Sequence, residues 1–313
     1  MPKRVLTIGG YGNFGSTIAR ALANDAQIQL IIGGRSVDKA AAFVRGLSAE
    51  NEPEAVALEI TDDMEAHLAA IKPDIVIHTT GPFQGQSYAV AEACLKQGCH
   101  YIDLADSRPF VAGIGRFNQQ AKQKNILMLS GVSTVPVLTA ALIDAYRRRF
   151  SVLEKVDYGI SAAQQASRGL ATTAAIFSYV GKPFTTLING VMRTVYGWQD
   201  LHAITYPELG RRYFGNCDIP DLELFPARYP DIKTIRFSAG IELPLLQVSM
   251  WCLSWLVRWK ILSTLKNQAA PLLNLSYTFD RFGSPKSGFH MIFSGIGKDR
   301  KPKTETFFII ARS

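Results

Sequence analysis

The strongest constraint on this chain is a short apolar run that ends abruptly in glycines. Residues 4–8 (Arg-Val-Leu-Thr-Ile) have the character of a strand buried on both faces. Gly9-Gly10-Tyr11-Gly12-Asn13-Phe14-Gly15 follows without a gap, and residues 16–23 have helix-forming composition. A strand, a Gly10-x-Gly12-x-x-Gly15 turn and a helix, in that order, make a device for holding a pyrophosphate. The first glycine allows the tight turn and the second lets main chain approach the phosphates. The third lets helix pack on strand, so that helix N–H groups aim at negative charge. The motif alone says little, but between a strand and a helix it says much more. Gly10, Tyr11, Gly12, Asn13, Phe14 and Gly15 are therefore expected to hold a dinucleotide.

The second strand, read over residues 28–32, ends in Gly33-Gly34-Arg35-Ser36. A carboxylate at this point would bind a ribose 2′-hydroxyl and repel a 2′-phosphate. Arg35 would attract that phosphate and Ser36 could donate to it, so NADP is expected ahead of NAD. Asp38, just beyond, is expected to cap the next helix. Strands over 55–60, 74–80, 100–104 and 126–129 alternate with helices over 87–97 and about 108–124, which predicts a doubly wound parallel sheet of the Rossmann type within residues 1–135. Ligand groups in that fold collect at the carboxyl ends of the strands. This places Asp62, Thr80, Gly81, Pro82 and Phe83 beside the cofactor, and makes Asp103, Asp106 and Tyr101 the candidate proton donors, with His100 ranked behind them. Each of these polar groups also has a purely structural reading. No metal site is expected.

Charge divides the chain. Residues 1–130 hold 12 Lys/Arg against 13 Asp/Glu, a net of −1, whereas residues 131–313 hold 22 against 13, leaving +9 of the overall +8 in the second part. An anionic substrate, a membrane surface or a solvated basic face would each account for that. Nucleic acid is not expected, because no helix-turn-helix pattern, zinc finger or dense Lys/Arg block is present. Cys94, Cys99, Cys217 and Cys252 have neither CxxC spacing nor clustered histidines, which suits reduced thiols in a cytoplasmic protein. The apolar run after Met1-Pro2-Lys3-Arg4 is too short for a signal peptide.

GGYGNFG, IGGRS, DIVIHTTGPFQGQSYAVAEACLKQGCHYIDLAD and SGVSTVPVLTAAL resemble the saccharopine dehydrogenase-like oxidoreductases over about residues 3–145, above all in Gly81-Pro82-Phe83 and His100-Tyr101-Ile102-Asp103. Features near RGLATTAAIFSYVGKPF and DIPDLELFPARYP are similar to less-studied bacterial members. The resemblance implies a Rossmann domain followed by a domain whose sheet covers the cofactor, and a nicotinamide dinucleotide. Two departures stand out. Ala105-Asp106-Ser107 replaces a Gly-Glu pair frequent in relatives, so no glutamate role transfers there. The chain also ends at Ser313, where relatives tend to continue, so truncation of the second domain is expected. Family membership does not give a substrate.

In residues 136–313 the simple alternation breaks down. Strands are read over 155–161, 232–241, 288–296 and 304–311, with an apolar helix over 169–179. Asn189-Gly190 signals a hairpin between 185–188 and 191–196. An α+β domain with an antiparallel or mixed sheet and helices on one face is expected, serving substrate binding or the pairing of two copies as a homodimer. Arg168, Arg211 and Arg212 could clamp a carboxylate. Residues 243–257 (LPLLQVSMWCLSWLV), followed by Arg258, Trp259 and Lys260, are too short for a membrane span. A core helix, an interfacial helix giving peripheral membrane contact through 243–260, and a lid over a greasy substrate all stay open.

No Tyr-x-x-x-Lys pair, HExxH or GxSxG motif is present. The reading that emerges is an NADP-dependent oxidoreductase moving hydride to or from a C=N, C=O or C=C bond of a small or lipid-like substrate. The alternative is a non-catalytic NADP-binding redox sensor or membrane-associated scaffold.

Overall fold

The computed structural model describes residues 1–61 and 63–312 and divides into two compact units, Met1–Val137 and Leu138–Ser313. The first is built from β1 (Lys3–Ile8), α1 (Asn13–Leu22), β2 (Ile28–Gly34), α2 (Val37–Arg45), β3 (Glu54–Ala57), α3 (Met64–Ile71), β4 (Ile75–His78), α4 (Ala89–Gln97), β5 (His100–Asp103), α5 (Arg108–Gly113), α6 (Asn118–Lys124) and β6 (Met128–Leu129). The strands form one parallel sheet in the order β3-β2-β1-β4-β5-β6.

The burial pattern explains the continuous apolar runs. Ile31 of β2 packs with Leu6, Ile8, Val76 and Tyr101, while its neighbours Leu30 and Ile32 pack with Ala19 and Ala40. Successive side chains of a strand point to opposite faces, so both faces of this sheet carry a core. Strand order reverses between β1 and β4, and a crevice opens there at the carboxyl ends. The single helix expected over 108–124 is instead α5, a 3₁₀ turn over Ile114–Phe117, and α6, with Gly113 and Gly115 at the break.

The second unit contains α7 (Thr139–Tyr146), β7 (Phe150–Ala162), α8 (Leu170–Tyr179), β8 (Pro183–Ile188), β9 (Val191–Tyr196), β10 (His202–Tyr206), β11 (Gly210–Asn216), α9 (Asp221–Arg228), β12 (Thr234–Ile241), α10 (Pro244–Arg258), α11 (Ala269–Tyr277), β13 (Lys286–Gly297) and β14 (Pro302–Arg312). Its main sheet runs β10-β11-β12-β7-β13-β14 and is mixed: β12 lies parallel to β7, and the other neighbours are antiparallel. Strands β8 and β9 form the hairpin that Asn189-Gly190 announces, with positive φ at both residues (51° and 78°).

Two groups in this unit are fixed by buried carboxylates. Glu242 Oε1 accepts from Arg212 (3.0 Å), and Glu242 Oε2 from the Gln164 and Ser284 N–H groups (2.8 and 2.9 Å). Asp221 Oδ2 accepts from the hydroxyls of Thr139 (2.6 Å) and Tyr158 (2.8 Å). Burial raises the Asp221 carboxyl from 3.8 to about 7. An acid whose pKa is raised by folding holds its proton more tightly in the native state. The stability it permits is therefore complete below its unfolded value and is lost as pH climbs from about 4 towards 7. Asp221→Asn keeps an acceptor for both hydroxyls and cannot ionise. Its urea midpoint relative to the wild type is expected to rise between pH 4 and pH 8. A constant difference across that range would show that the carboxyl titrates alike in both states.

Candidate functional site

The crevice of the first unit is assembled from four strand ends. At the end of β1 the chain turns at Gly9, whose φ is 78°. A side chain there would be strained, and its Cβ would sit 2.7 Å from Thr80 Oγ1 and 2.9 Å from Thr79 Oγ1. The bare glycine lets β4's exit close on the loop: the Thr79 N–H and hydroxyl both donate to the Ile8 carbonyl (3.0 and 2.9 Å). Gly12 caps α1 without a side chain, its N–H donating to Gly9 O (2.8 Å) and its carbonyl accepting from Ser16 N–H (2.9 Å). Gly15 is buried, and a Cβ on it would fall on the Gly9 carbonyl.

An α-helix leaves the N–H groups of its first turn without intrahelical acceptors. Here those belong to Asn13, Phe14 and Gly15, at a helix start with exposed Gly12, Asn13 and Phe14 around it. Partial positive charge and open main chain make this a seat for a pyrophosphate. The loop is open where side chains would otherwise stand over the first-turn amides of α1.

At the end of β2, Arg35 is exposed. Ser36 caps α2, its Oγ accepting from Lys39 N–H (3.3 Å), so the cap expected of Asp38 belongs to Ser36, and Asp38 lies in the helix's first turn. Tyr11 reaches across from the glycine loop. Its hydroxyl accepts from Ser36 N–H (3.2 Å), and its ring lies where a Cβ on Gly34 would go. The structure thus joins the pyrophosphate end of the site to the Arg35–Ser36 end through one side chain. Asp62 lies outside the described residues.

After β4, Thr80 is half-buried while Gly81 and Pro82 are exposed, and Gln86 Nε2 donates to the Thr80 carbonyl (2.8 Å). Phe83 departs from expectation. It is buried, with its ring 5.0 Å from that of His78 and 5.2 Å from that of Phe110. An apolar ring one residue past an exposed proline gains more from the core than from the crevice. Phe83 therefore anchors the loop from beneath.

The three proton-donor candidates separate just as sharply. Tyr101 is fully buried, with its hydroxyl 3.2 Å from His78 Nδ1. Burial pushes the Tyr101 hydroxyl far up and lowers His78 to about 4, so this pair stays uncharged near neutrality. Asp103 is fully buried as well. Its Oδ1 accepts from Ala105 N–H (2.9 Å), Gly131 N–H (2.8 Å) and Ser130 Oγ (2.9 Å), and burial raises the carboxyl despite those bonds. Both side chains are closed off from solvent. Asp106 differs: it is exposed, its Oδ1 accepts from Gln84 Nε2 (3.2 Å), and neighbouring protein atoms push its carboxyl up. His100 Nδ1 accepts from Leu127 N–H (3.0 Å), a structural bond between β5 and the approach to β6. A strand-end position identified all four residues, but it does not say which way each side chain turns.

The carboxylate clamp suggested for Arg168, Arg211 and Arg212 is not assembled. Arg168 donates to Asp280 (2.5 Å), Arg212 is committed to Glu242, and Arg211 stacks over Tyr213 (5.1 Å).

Comparison with known proteins bears on this arrangement. Residues 5–129 match the family model described as the saccharopine dehydrogenase NADP binding domain. Among solved structures, an apo saccharopine dehydrogenase (L-Glu forming) from Saccharomyces cerevisiae is similar to the chain with a TM-score of 0.70 at 13% identity, over 99% of this chain and 85% of that one. An amine dehydrogenase from Mycobacterium smegmatis is similar with a TM-score of 0.50 at 10% identity, over 99% of this chain and 86% of that one. At such identities these two likenesses speak to the fold. No curated protein sequence matches.

Proposed function

We propose that this chain, whose residues 5–129 match the saccharopine dehydrogenase NADP binding domain, is an oxidoreductase of that family that takes NADP(H) in preference to NAD(H) and acts on a C=N, C=O or C=C bond of a small or lipid-like molecule. The observation that carries the cofactor preference is Arg35, exposed at the carboxyl end of β2 where an NAD enzyme would place a carboxylate. A 2′-phosphate at this point meets the Arg35 guanidinium, the Ser36 hydroxyl and the first turn of α2.

A dinucleotide held there would supply the hydride-transfer chemistry. The chain's own residues do the rest. Amides of the first turn of α1 hold the pyrophosphate, and Tyr11 braces the loop against Ser36. Thr80, Gly81 and Pro82 border the reacting end. Asp106 is the proton donor of this reading, since its side chain reaches solvent and its carboxyl is held above the ordinary value by the protein atoms around it.

The test of cofactor choice is Arg35→Ala, titrated calorimetrically with NADPH and with NADH. NADPH affinity is expected to fall about ten- to a hundredfold, the worth of one lost charge-assisted hydrogen bond, with NADH affinity unchanged. Equal losses for the two cofactors would remove Arg35 from the discriminating role.

A further inference from the structure

Helix α10 carries its polarity inside out. Towards the interior it turns Gln247, Met250, Ser254 and Val257, all buried. Two of these four are polar. Gln247 Oε1 accepts from Ile241 N–H (2.9 Å), and Ser254 Oγ donates to the Trp251 carbonyl (2.6 Å). The outward row holds Leu245 (64% exposed), Val248 (39%) and Cys252, with Ser249 beside them turning its hydroxyl back onto the Leu245 carbonyl (2.8 Å). Their spacing of three and four residues places them along one helix face. The row continues past the helix into Trp259 (62%) and Ile261 (65%). A helix resting on a water-soluble domain ordinarily turns charged and polar residues outward.

Charge adds a second, independent observation. Residues 243–279 contain no Asp or Glu, and their charges are Arg258, Lys260 and Lys266. Arg258 is engaged with Gln199 Oε1 (2.5 Å) and lies over the Tyr196 ring (3.9 Å). Lys260 and Lys266 are exposed, and no shielding carboxylate stands near them in sequence. An exposed apolar row in a stretch whose only charges are cations suits a partner that is apolar within and negative at its surface.

We propose that the outward row of α10 and the turn after it dock on the surface of an anionic lipid bilayer. No helix among the described residues is long and apolar enough to cross a membrane. A 15-residue helix is about 22 Å long and can lie in the plane of the interface, with its apolar side sunk roughly 5–10 Å. Trp259 then sits at headgroup depth, where an indole is favoured, and Lys260 and Lys266 meet lipid phosphates. Of the three readings open to residues 243–257, this one uses both faces of the helix: the inner row closes the domain and the outer row meets lipid. The proposal is independent of the cofactor site, which lies in the other unit.

The experiment is co-sedimentation of the full chain with phosphatidylcholine vesicles, with and without phosphatidylglycerol, at low salt. Binding to the anionic vesicles is expected to exceed that to neutral ones by about tenfold, and to weaken towards 1 M salt, where the field range shrinks to about 3 Å. Leu245→Ser, Trp259→Ser and Ile261→Ser combined should lower binding by at least about tenfold. These side chains are exposed, so the thermal midpoint and the affinity for NADPH should stay at wild-type values. Wild-type protein that stays in the supernatant with anionic vesicles overturns the proposal, as does a triple variant that pellets undiminished. A wild type that ignores vesicles but forms a dimer that the triple variant cannot form also overturns it, and assigns the face to a second copy of this chain.

Discussion

Gly12→Val is expected to remove measurable NADPH binding from a protein that still folds. Gly12 has φ −76° and ψ −178°, extended backbone open to any residue. A Cβ there would lie 3.0 Å from the Gly9 carbonyl oxygen, tight but able to be absorbed by a small shift of the loop. The branched side chain would then stand over the first-turn amides of α1, where a pyrophosphate must come. Two lost charge-assisted hydrogen bonds at about 1.5–3 kcal/mol each amount to at least a hundredfold, and more with the steric block added. Gly15→Val makes the useful contrast. Its Cβ would meet the Gly9 carbonyl inside the packed loop, so loss of the folded domain is expected there. Calorimetry with NADPH, paired with thermal melts, separates the two. A Gly12→Val protein that binds NADPH within tenfold of wild type would contradict the cradle.

Glu242→Ala is expected to cost the second unit about 3–5 kcal/mol, because it strands a buried guanidinium. Arg212 and Glu242 side chains are 6% and 10% exposed, and the substitution also strips the Gln164 and Ser284 amides of their acceptor. At about 2–4 °C per kcal/mol for a domain of this size, the midpoint should fall by roughly 6–20 °C. The loss should depend on pH. Burial pushes the Glu242 carboxyl up, but the Gln164 and Ser284 amides, the Ser284 hydroxyl and Arg212 together hold it below its ordinary 4.5. A carboxylate with a depressed pKa gives its full stability above the unfolded value and surrenders it as pH falls through the folded one. The gap between variant and wild type should therefore be complete at neutral pH and narrow below about pH 4.5. A variant melting within about 2 °C of wild type at pH 7 would mean the pair contributes almost nothing.

The first unit was legible because its signals are local. A strand, its glycine turn and the following helix are contiguous, and a parallel sheet writes each strand as an apolar run. Arg35 and Ser36 could be placed because strand ends converge in this topology. The side-chain directions were not legible. Tyr101 and Asp103, two residues apart, share one face of β5, but nothing local says that this face turns inward, where His78 meets one and donors 27 and 28 residues further along the chain meet the other. Tyr11's bond to Ser36 likewise spans 25 residues.

The second unit hid more, for the same reason. The hairpin of β10 and β11 is not legible because its burial does not alternate: His202, Ala203 and Ile204 are half-buried, Thr205 is exposed and Tyr206 buried, without a period of two. The apolar pattern over 155–161 covers about half of the 13-residue strand β7, because the start of the strand carries Ser151 and Glu154 among apolar residues. Its neighbour β13 supplies the pairing that keeps such a start in the sheet, opposite Phe150, Val152 and Leu153.

The Asp103 carboxylate has a consequence for Asp106. One oxygen gathers Ala105, Ser130 and Gly131, and the Asp103 carbonyl takes Val132 N–H (2.8 Å), so the segments leaving β5 and β6 share a single buried post. Opening either segment means breaking bonds that also hold the other. The conformational entropy of the Asp106 main chain is thus surrendered when the domain folds. If Asp106 is the donor proposed here, a ligand arriving at it would meet main chain already ordered by that post, and would keep for affinity what it would otherwise spend on ordering it.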